Sequence, residues 1–460
     1  MMVRLLAIAA ALGAAALAVG FVKLSPIARV GAGYKAKIAC SEVFVAGRDE
    51  ADVLASEFDG IDDALKHVAL TIDRDRKETR ASLGPIGGAE ATYRDGFGCT
   101  LNRGPLAELP KLSPIAPQAW RDAAPGSAGF EPDALNSALD QAMNDAAAGH
   151  RAFLVAAGDA VIAERYADGF SDRTPMLSWS MAKSVTATMI GLAVKDGLID
   201  LDEQPPVADW SGEDDPRGSI TWRDLLHMQS GLQFEEEYGD PTSTVNQMLF
   251  NSASVARPAI DSPLAHEPGE HWYYSSGTTN LLQFALKKTL EAAGVDYHSY
   301  AHERLFEPLG AASAILEPDA SGVFIGSSYM YATARDWAKL GRLYLQDGVW
   351  NDERLLPEGW AEFVSTPSGK SDRQYGAQFW LNAPGRDGRP SDLPGLPETA
   401  YYFAGHEGQY VVILPEDRLV MVRLGRTRGA APIKVAGEVF AALYAARRLD
   451  HDNSPEARPE

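Results

Sequence analysis

The chain reads as a mixed α/β protein of the α+β kind, and three features of the sequence say so. Residues 130–147 and 433–447 carry apolar residues at helical spacing, and 181–194 is apolar nearly all round, as a buried helix would be. Short β-type runs come in pairs across turn residues: 152–163 around Gly158-Asp159, and 409–414 with 419–424 across Pro415-Glu416-Asp417. Helices and short strands mix through the rest of the chain, and no internal repeat interrupts them.

Each element has a local reason. In 130–147, Glu131 and Asp133 fall in the first helical turn after Gly129, where negative charge meets the positive end of the helix dipole. Before it lies a Pro-rich linker with Pro105, Pro110, Pro114 and Pro117, which marks a boundary near residue 115. Upstream, 50–66 is helix-like with Gly60 as a break. Strand-like pieces at 67–72 and 90–93 follow, punctuated by Gly84, Gly87, Gly88, Gly96 and Gly98. Residues 25–115 thus read as a small α+β segment and linker, 116–447 as the main domain, and 448–460 as a disordered tail.

Composition narrows the function. The chain has 460 residues, 45% hydrophobic and 23% charged, enough for a sizeable core. A net charge of -21 argues against a nucleic-acid partner, which would need a basic footprint, and serves solubility. At the N-terminus Arg4 precedes an apolar run over 5–22 with an Ala16-Leu17-Ala18 cleavage pattern. Residues 1–24 are therefore expected to be a signal peptide or a membrane anchor, with the body exported to the periplasm or cell envelope. The only two cysteines, Cys40 and Cys99, are expected to pair in that oxidising setting. No metal-binding cysteine pattern is present.

Three motifs carry chemistry. Ser180-Met181-Ala182-Lys183 is an S-x-x-K, which on a helix puts both side chains on one face. A lysine buried among Met181, Val185, Ile190 and Leu192 loses its proton more easily and can activate the serine. The plainer reading is a serine helix cap and a surface lysine. Tyr274-Ser275-Ser276-Gly277 follows the turn Pro268-Gly269. A tyrosine beside a lysine ammonium is expected to deprotonate more readily and relay protons, while an aromatic core residue is the competing reading. Last, Gly405-His406-Glu407-Gly408-Gln409 opens a strand. Gly408 would let substrate approach closely, and the N–H groups of Gln409 and Ser180 would form an oxyanion hole.

In this order the motifs resemble the serine β-lactamase and penicillin-binding superfamily over residues 120–445. The closer resemblance is to the class C-related group that includes 6-aminohexanoate-dimer hydrolases and some esterases. It rests further on Gly197-Leu198-Ile199-Asp200, Thr221-Trp222-Arg223-Asp224-Leu225-Leu226, Gln229-Ser230-Gly231-Leu232 and Ala334-Arg335-Asp336. It implies an antiparallel sheet flanked by helices, beside a mostly helical lobe, with Ser180 at their junction. It also implies Ser180 acylated by substrate, Lys183 and Tyr274 relaying protons, and the 406–408 strand binding the acyl group. Two departures stand out. Class C enzymes carry Tyr-x-Asn where this chain has Ser276, and Lys-Thr-Gly where it has His406-Glu407-Gly408, which removes a charge suited to a β-lactam carboxylate. Tyr238, in the acidic run 235–237 and beyond, resembles a tyrosine that closes over substrate in the hydrolase branch.

The expected activity is serine hydrolysis of a small-molecule ester, amide or peptide, without metal or cofactor. A D-alanyl peptidase of the penicillin-binding kind and a non-catalytic envelope binding protein on the same fold are the rivals. His266 and His271 are five apart, which fails the spacing of a zinc-peptidase helix, and no Gly-x-Ser-x-Gly elbow occurs.

Overall fold

A computed structural model describes residues 24–429 and 431–447. The apolar run at 5–22 and the tail from 448 lie outside the described residues. Among the described residues no helix is long and apolar enough to cross a membrane.

Residues 24–44 form a helix, α1, where the sequence reading placed no element. Its Ala32, Ala36 and Ala39 are fully buried, so it packs closely on what lies beneath. The single helix expected over 50–66 is two short pieces, α2 (Glu50–Ser56) and a 3-10 turn (Asp63–His67). Gly60, at φ +68°, lies between them in a left-handed conformation that a continuous helix does not admit. Next comes an antiparallel four-stranded sheet in sequence order: β1 (Ala69–Asp73), β2 (Glu78–Leu83), β3 (Gly87–Arg94) and β4 (Gly98–Leu101). A disulfide joins Cys40 on α1 to Cys99 on β4.

The main domain is built on a seven-stranded sheet. Its elements are β5 (Arg121–Asp122), α3 (Pro132–Asn144), β6 (His150–Ala157), β7 (Ala160–Tyr166), α4 (Ala182–Lys195), α5 (Ser276–Ala292), α6 (Ala334–Leu345), β8 (Trp380–Leu381), β9 (Tyr401–Gly405), β10 (Gln409–Leu414), β11 (Leu419–Gly425) and α7 (Pro432–Ala445). The strand order is β8-β9-β10-β11-β6-β7-β5. All neighbours are antiparallel except the edge pair β5–β7, which is parallel.

Both faces of this sheet are covered, which is why β10 and β11 read as unbroken apolar runs. Val411, Ile413, Val420 and Val422 pack with Trp337 and Leu340 of α6. Val412, Leu414, Leu419 and Met421 pack with Leu135 of α3 and Phe440 of α7. Gly341 lets α6 sit close: a Cβ there would come within 2.7 Å of Val420 and 2.9 Å of Val411. Helices α4 and α5, with shorter helices between residues 222 and 309, make the helical lobe beside the sheet.

The N-terminal segment is fused into this body. Its apolar residues share one core with Leu177, Trp179, Phe234, Phe250 and Tyr331. Lys37 pairs with the buried carboxylate of Glu317, which also accepts from the Ser41 hydroxyl at 2.8 Å and the Cys99 N–H at 2.6 Å. Glu57 bridges Arg48, Arg151 and Arg426, and the last also pairs with Glu407 at 3.3 Å. Losing one partner of such a buried pair leaves an uncompensated charge, so these contacts fix the segment's seat. The disulfide closes a separation of 59 residues. Replacing both cysteines (Cys40→Ala with Cys99→Ala) is expected to lower the unfolding free energy by about 4 kcal/mol. Urea denaturation checks this, and an unchanged midpoint would count against it.

Candidate active site

The site forms where α4, the start of α5 and the β9–β10 hairpin meet. Ser180 lies in a 3-10 turn (Trp179–Met181) that runs into α4. The turn is entered through Trp179 at φ 44°, a left-handed conformation unfavourable for a bulky residue. Ser178 holds it. The Ser178 N–H donates to Met330 O at 2.8 Å, and its Oγ accepts from Met330 N–H at 3.1 Å. The nucleophile is thereby presented on a strained, clamped turn, and the sequence reading did not pick out Ser178.

Lys183 sits one helical turn on, 1% exposed. Its Nζ donates to Ser180 Oγ at 3.1 Å, Ser276 Oγ at 2.9 Å and Ser327 O at 3.1 Å. Burial lowers its pKa to about 8, against an opposing pull from Glu236. These three partners saturate an ammonium. On losing its proton the amine must find one donor for its lone pair. Ser327 offers a carbonyl, which only accepts. Ser276 gives its hydroxyl proton to Glu236 Oε1 at 2.5 Å. Ser180 is the partner left free to turn and donate, so neutral Lys183 is directed onto the nucleophile's proton.

Glu236 is the site residue the sequence did not single out. Its Oε2 accepts from the Ser276 N–H at 2.7 Å, and its Oε1 from the Tyr238 hydroxyl at 2.9 Å. The segment that carries it comes close because Gly277 leaves room for Phe234, whose ring would lie 2.5 Å from an added Cβ. Three glutamates stand together at 235–237, and the sequence gives no means of telling which one faces inward.

Tyr274 precedes α5 and packs against Trp380 and Tyr375, with ring centroids 5.3 and 5.8 Å away. The expectation that lysine would ease its deprotonation is overturned. Burial, then the charge of Glu236, pushes its pKa well up, so the phenol stays protonated at neutral pH. Lys183 Nζ lies over the ring, 4.8 Å from its centroid. From there it stabilises the aromatic face, and burial favours its own neutral form.

The 405–409 turn lies against the nucleophile's turn; a Cβ on Gly405 would meet Ser178 O at 2.1 Å. His406 meets Trp179 edge-on at 5.6 Å and stacks on Tyr238 at 5.7 Å. Desolvation on its packed side lowers its pKa, against the pull of Glu407, while its other side is exposed. Gly408 does not open the groove as expected. It is buried at φ 91°, and a Cβ would strike Arg423 at 2.1 Å, so glycine is required by packing there. Gln409 is 3% exposed and pairs with Gly405 across the hairpin. Its side chain donates to His406 O at 3.1 Å and accepts from Gly425 N–H at 3.0 Å.

The family model described as Beta-lactamase matches residues 135–446. The chain belongs to the beta-lactamase family. Among curated relatives it is similar to the 6-aminohexanoate-dimer hydrolase of Paenarthrobacter ureafaciens, 29% identical over 282 residues, covering 57% of this chain and 69% of that one. Among solved structures, a penicillin-binding protein homologue from Caulobacter crescentus superposes with a TM-score of 0.54 at 16% identity, covering 72% of this chain and 100% of the other. A family VIII carboxylesterase gives 0.51 at 14% identity, covering 68% and 97%. The protein is a serine hydrolase of this family, and residues 1–134 precede the family match.

If Lys183 is the base, kcat/KM should rise with pH along a limb centred near 8, as its ammonium loses a proton. Glu236 holds that pKa up, so Glu236→Gln is expected to move the limb to lower pH. A limb that stays in place in this variant would remove Glu236 from the electrostatics of the site.

Proposed function

We propose that the enzyme cleaves ester or amide bonds in two steps through an acyl-enzyme on Ser180. The observation that carries this reading is the buried Lys183 amine, 3.1 Å from Ser180 Oγ, with a pKa near 8. Neutral Lys183 takes the Ser180 proton as Oγ adds to the carbonyl carbon. The carbonyl oxygen gains negative charge, and the main-chain N–H groups of Ser180 and Gln409 are the proposed donors to it. As the bond to the leaving group breaks, the Tyr274 hydroxyl gives that group its proton and recovers one from the Lys183 ammonium. Water then adds to the ester on Ser180, with neutral Lys183 as base, and releases the acid.

Esters and uncharged amides fit this site better than β-lactams. His406 stands where a lysine would hold a β-lactam carboxylate, so the permanent positive charge is absent. The names of the dimer hydrolase and the carboxylesterase agree with that choice. Tyr238, hydrogen-bonded to Glu236 and stacked on His406, is proposed to close over bound substrate. Export is proposed as well, supported by the Cys40–Cys99 pairing.

Hydrolysis of p-nitrophenyl acetate tests the reading. Ser180→Ala is expected to reduce turnover at least about a thousandfold; equal rates in the two proteins would dismiss Ser180 as nucleophile. Tyr238→Phe is expected to cost about tenfold in turnover of an anilide, the scale of one hydrogen bond. No change there would sink the closing role.

A further inference from the structure

The N-terminal segment lies outside the family match, yet it builds one wall of a cavity that reaches the site. The cavity has a volume of about 410 Å³, within the range of sites that hold small organic ligands. Ile27 and Val30 of α1, Leu65 of the following 3-10 turn, and Leu83 of β2 line one side. Trp179, Tyr238 and His406 line the end nearest the chemistry. Tyr238 is within 3.4 Å of Ser276 Oγ, Ser276 is bonded to Lys183, and Lys183 to Ser180. The wall of the cavity is therefore three hydrogen bonds from the nucleophile. Trp179 joins the two directly, being the residue before Ser180.

The lining is mostly apolar, with Asp62, Asn246, His406 and Glu407 as its polar members, and the rim is open. Leu24, Ile27, Ile61 and Tyr238 all line it, and they are among the few large hydrophobic side chains exposed on the described surface. A pocket of this kind stabilises a hydrocarbon chain and offers little to a charged or sugar-like group. Its rim of exposed apolar side chains suits entry of an amphiphile from one side.

We propose that residues 24–101 form a chain-binding pocket for Ser180, and that the substrates are amphiphiles joining an unbranched hydrocarbon chain to a polar group through an ester or amide. This rests on the acyl-enzyme reading above and narrows it to a substrate class. The N-terminal segment then supplies the apolar half of a site whose reactive half lies in the family domain.

Two measurements on the full chain test it. The first is kcat/KM for p-nitrophenyl esters from acetate to dodecanoate, below their micelle concentrations. The expected rise is about fourfold per added methylene until the pocket is filled. Ile27→Trp, placed on the partly exposed rim to limit damage to folding, is expected to flatten the rise and lower the dodecanoate-to-acetate ratio at least tenfold. The second is calorimetric titration of dodecanoate into the Ser180→Ala protein, which reads the pocket without turnover. Saturable binding, weakened about tenfold when Ile27→Trp is added, supports the pocket even if no ester in the series is cleaved. A flat length profile with acetate still cleaved by Ser180 overturns the pocket and leaves the hydrolase reading standing. Absence of dodecanoate binding also overturns it.

Discussion

The buried amine of Lys183 is the constraint around which the site is arranged. An ammonium needs three acceptors, and here they come from three separate places: the nucleophile's turn, the first residue of α5 and the loop at 327. Each must be in position for the lysine to be buried at all. The same three contacts also set a direction. Ser327 can only accept, and Ser276 is committed to Glu236, so deprotonation reorients one hydroxyl, that of Ser180. The packing that disfavours the charge thus also points the resulting base.

A second set of buried charges ties the N-terminal segment to this centre. Glu317 receives Lys37, Ser41 and the Cys99 N–H from the segment, while Glu57 reaches Arg151 on β6 and Arg426 just past β11. Arg426 touches Glu407, and the Trp179 indole N–H donates to Glu407 at 3.4 Å. Contacts therefore run without a gap from α1 and α2 to the residue beside the nucleophile. A segment seated this firmly can contribute the wall of a binding cavity, because the wall cannot drift relative to the reacting atoms.

Much of the frame was legible in the sequence. The hairpins at 152–163 and 409–424 carried their turn residues and lie where those residues placed them. The helix at 181–194 was apolar all round, and a lysine within it had little alternative to burial. What escaped depended on neighbours distant in the chain. Helix α1 follows directly on the apolar run at 5–22 and has no polar stretch to mark it as a separate element. The phenol of Tyr274 was misjudged because its environment is set by Glu236 and by burial, and neither is encoded near residue 274. Gly408 looked like an opening for substrate, but its missing side chain makes room for Arg423, fifteen residues away on the neighbouring strand.

The Glu57–Arg426–Glu407 bridge has a consequence for how this gene can vary. Position 57 belongs to the added segment and position 407 to the family domain, yet one guanidinium serves both carboxylates. A change at either position alters the charge balance felt by the other, so their effects are not additive. Recombination that exchanged the segment for an unrelated one would break this pairing in the first generation. The two parts of the chain thus constrain each other's substitutions through one shared charge.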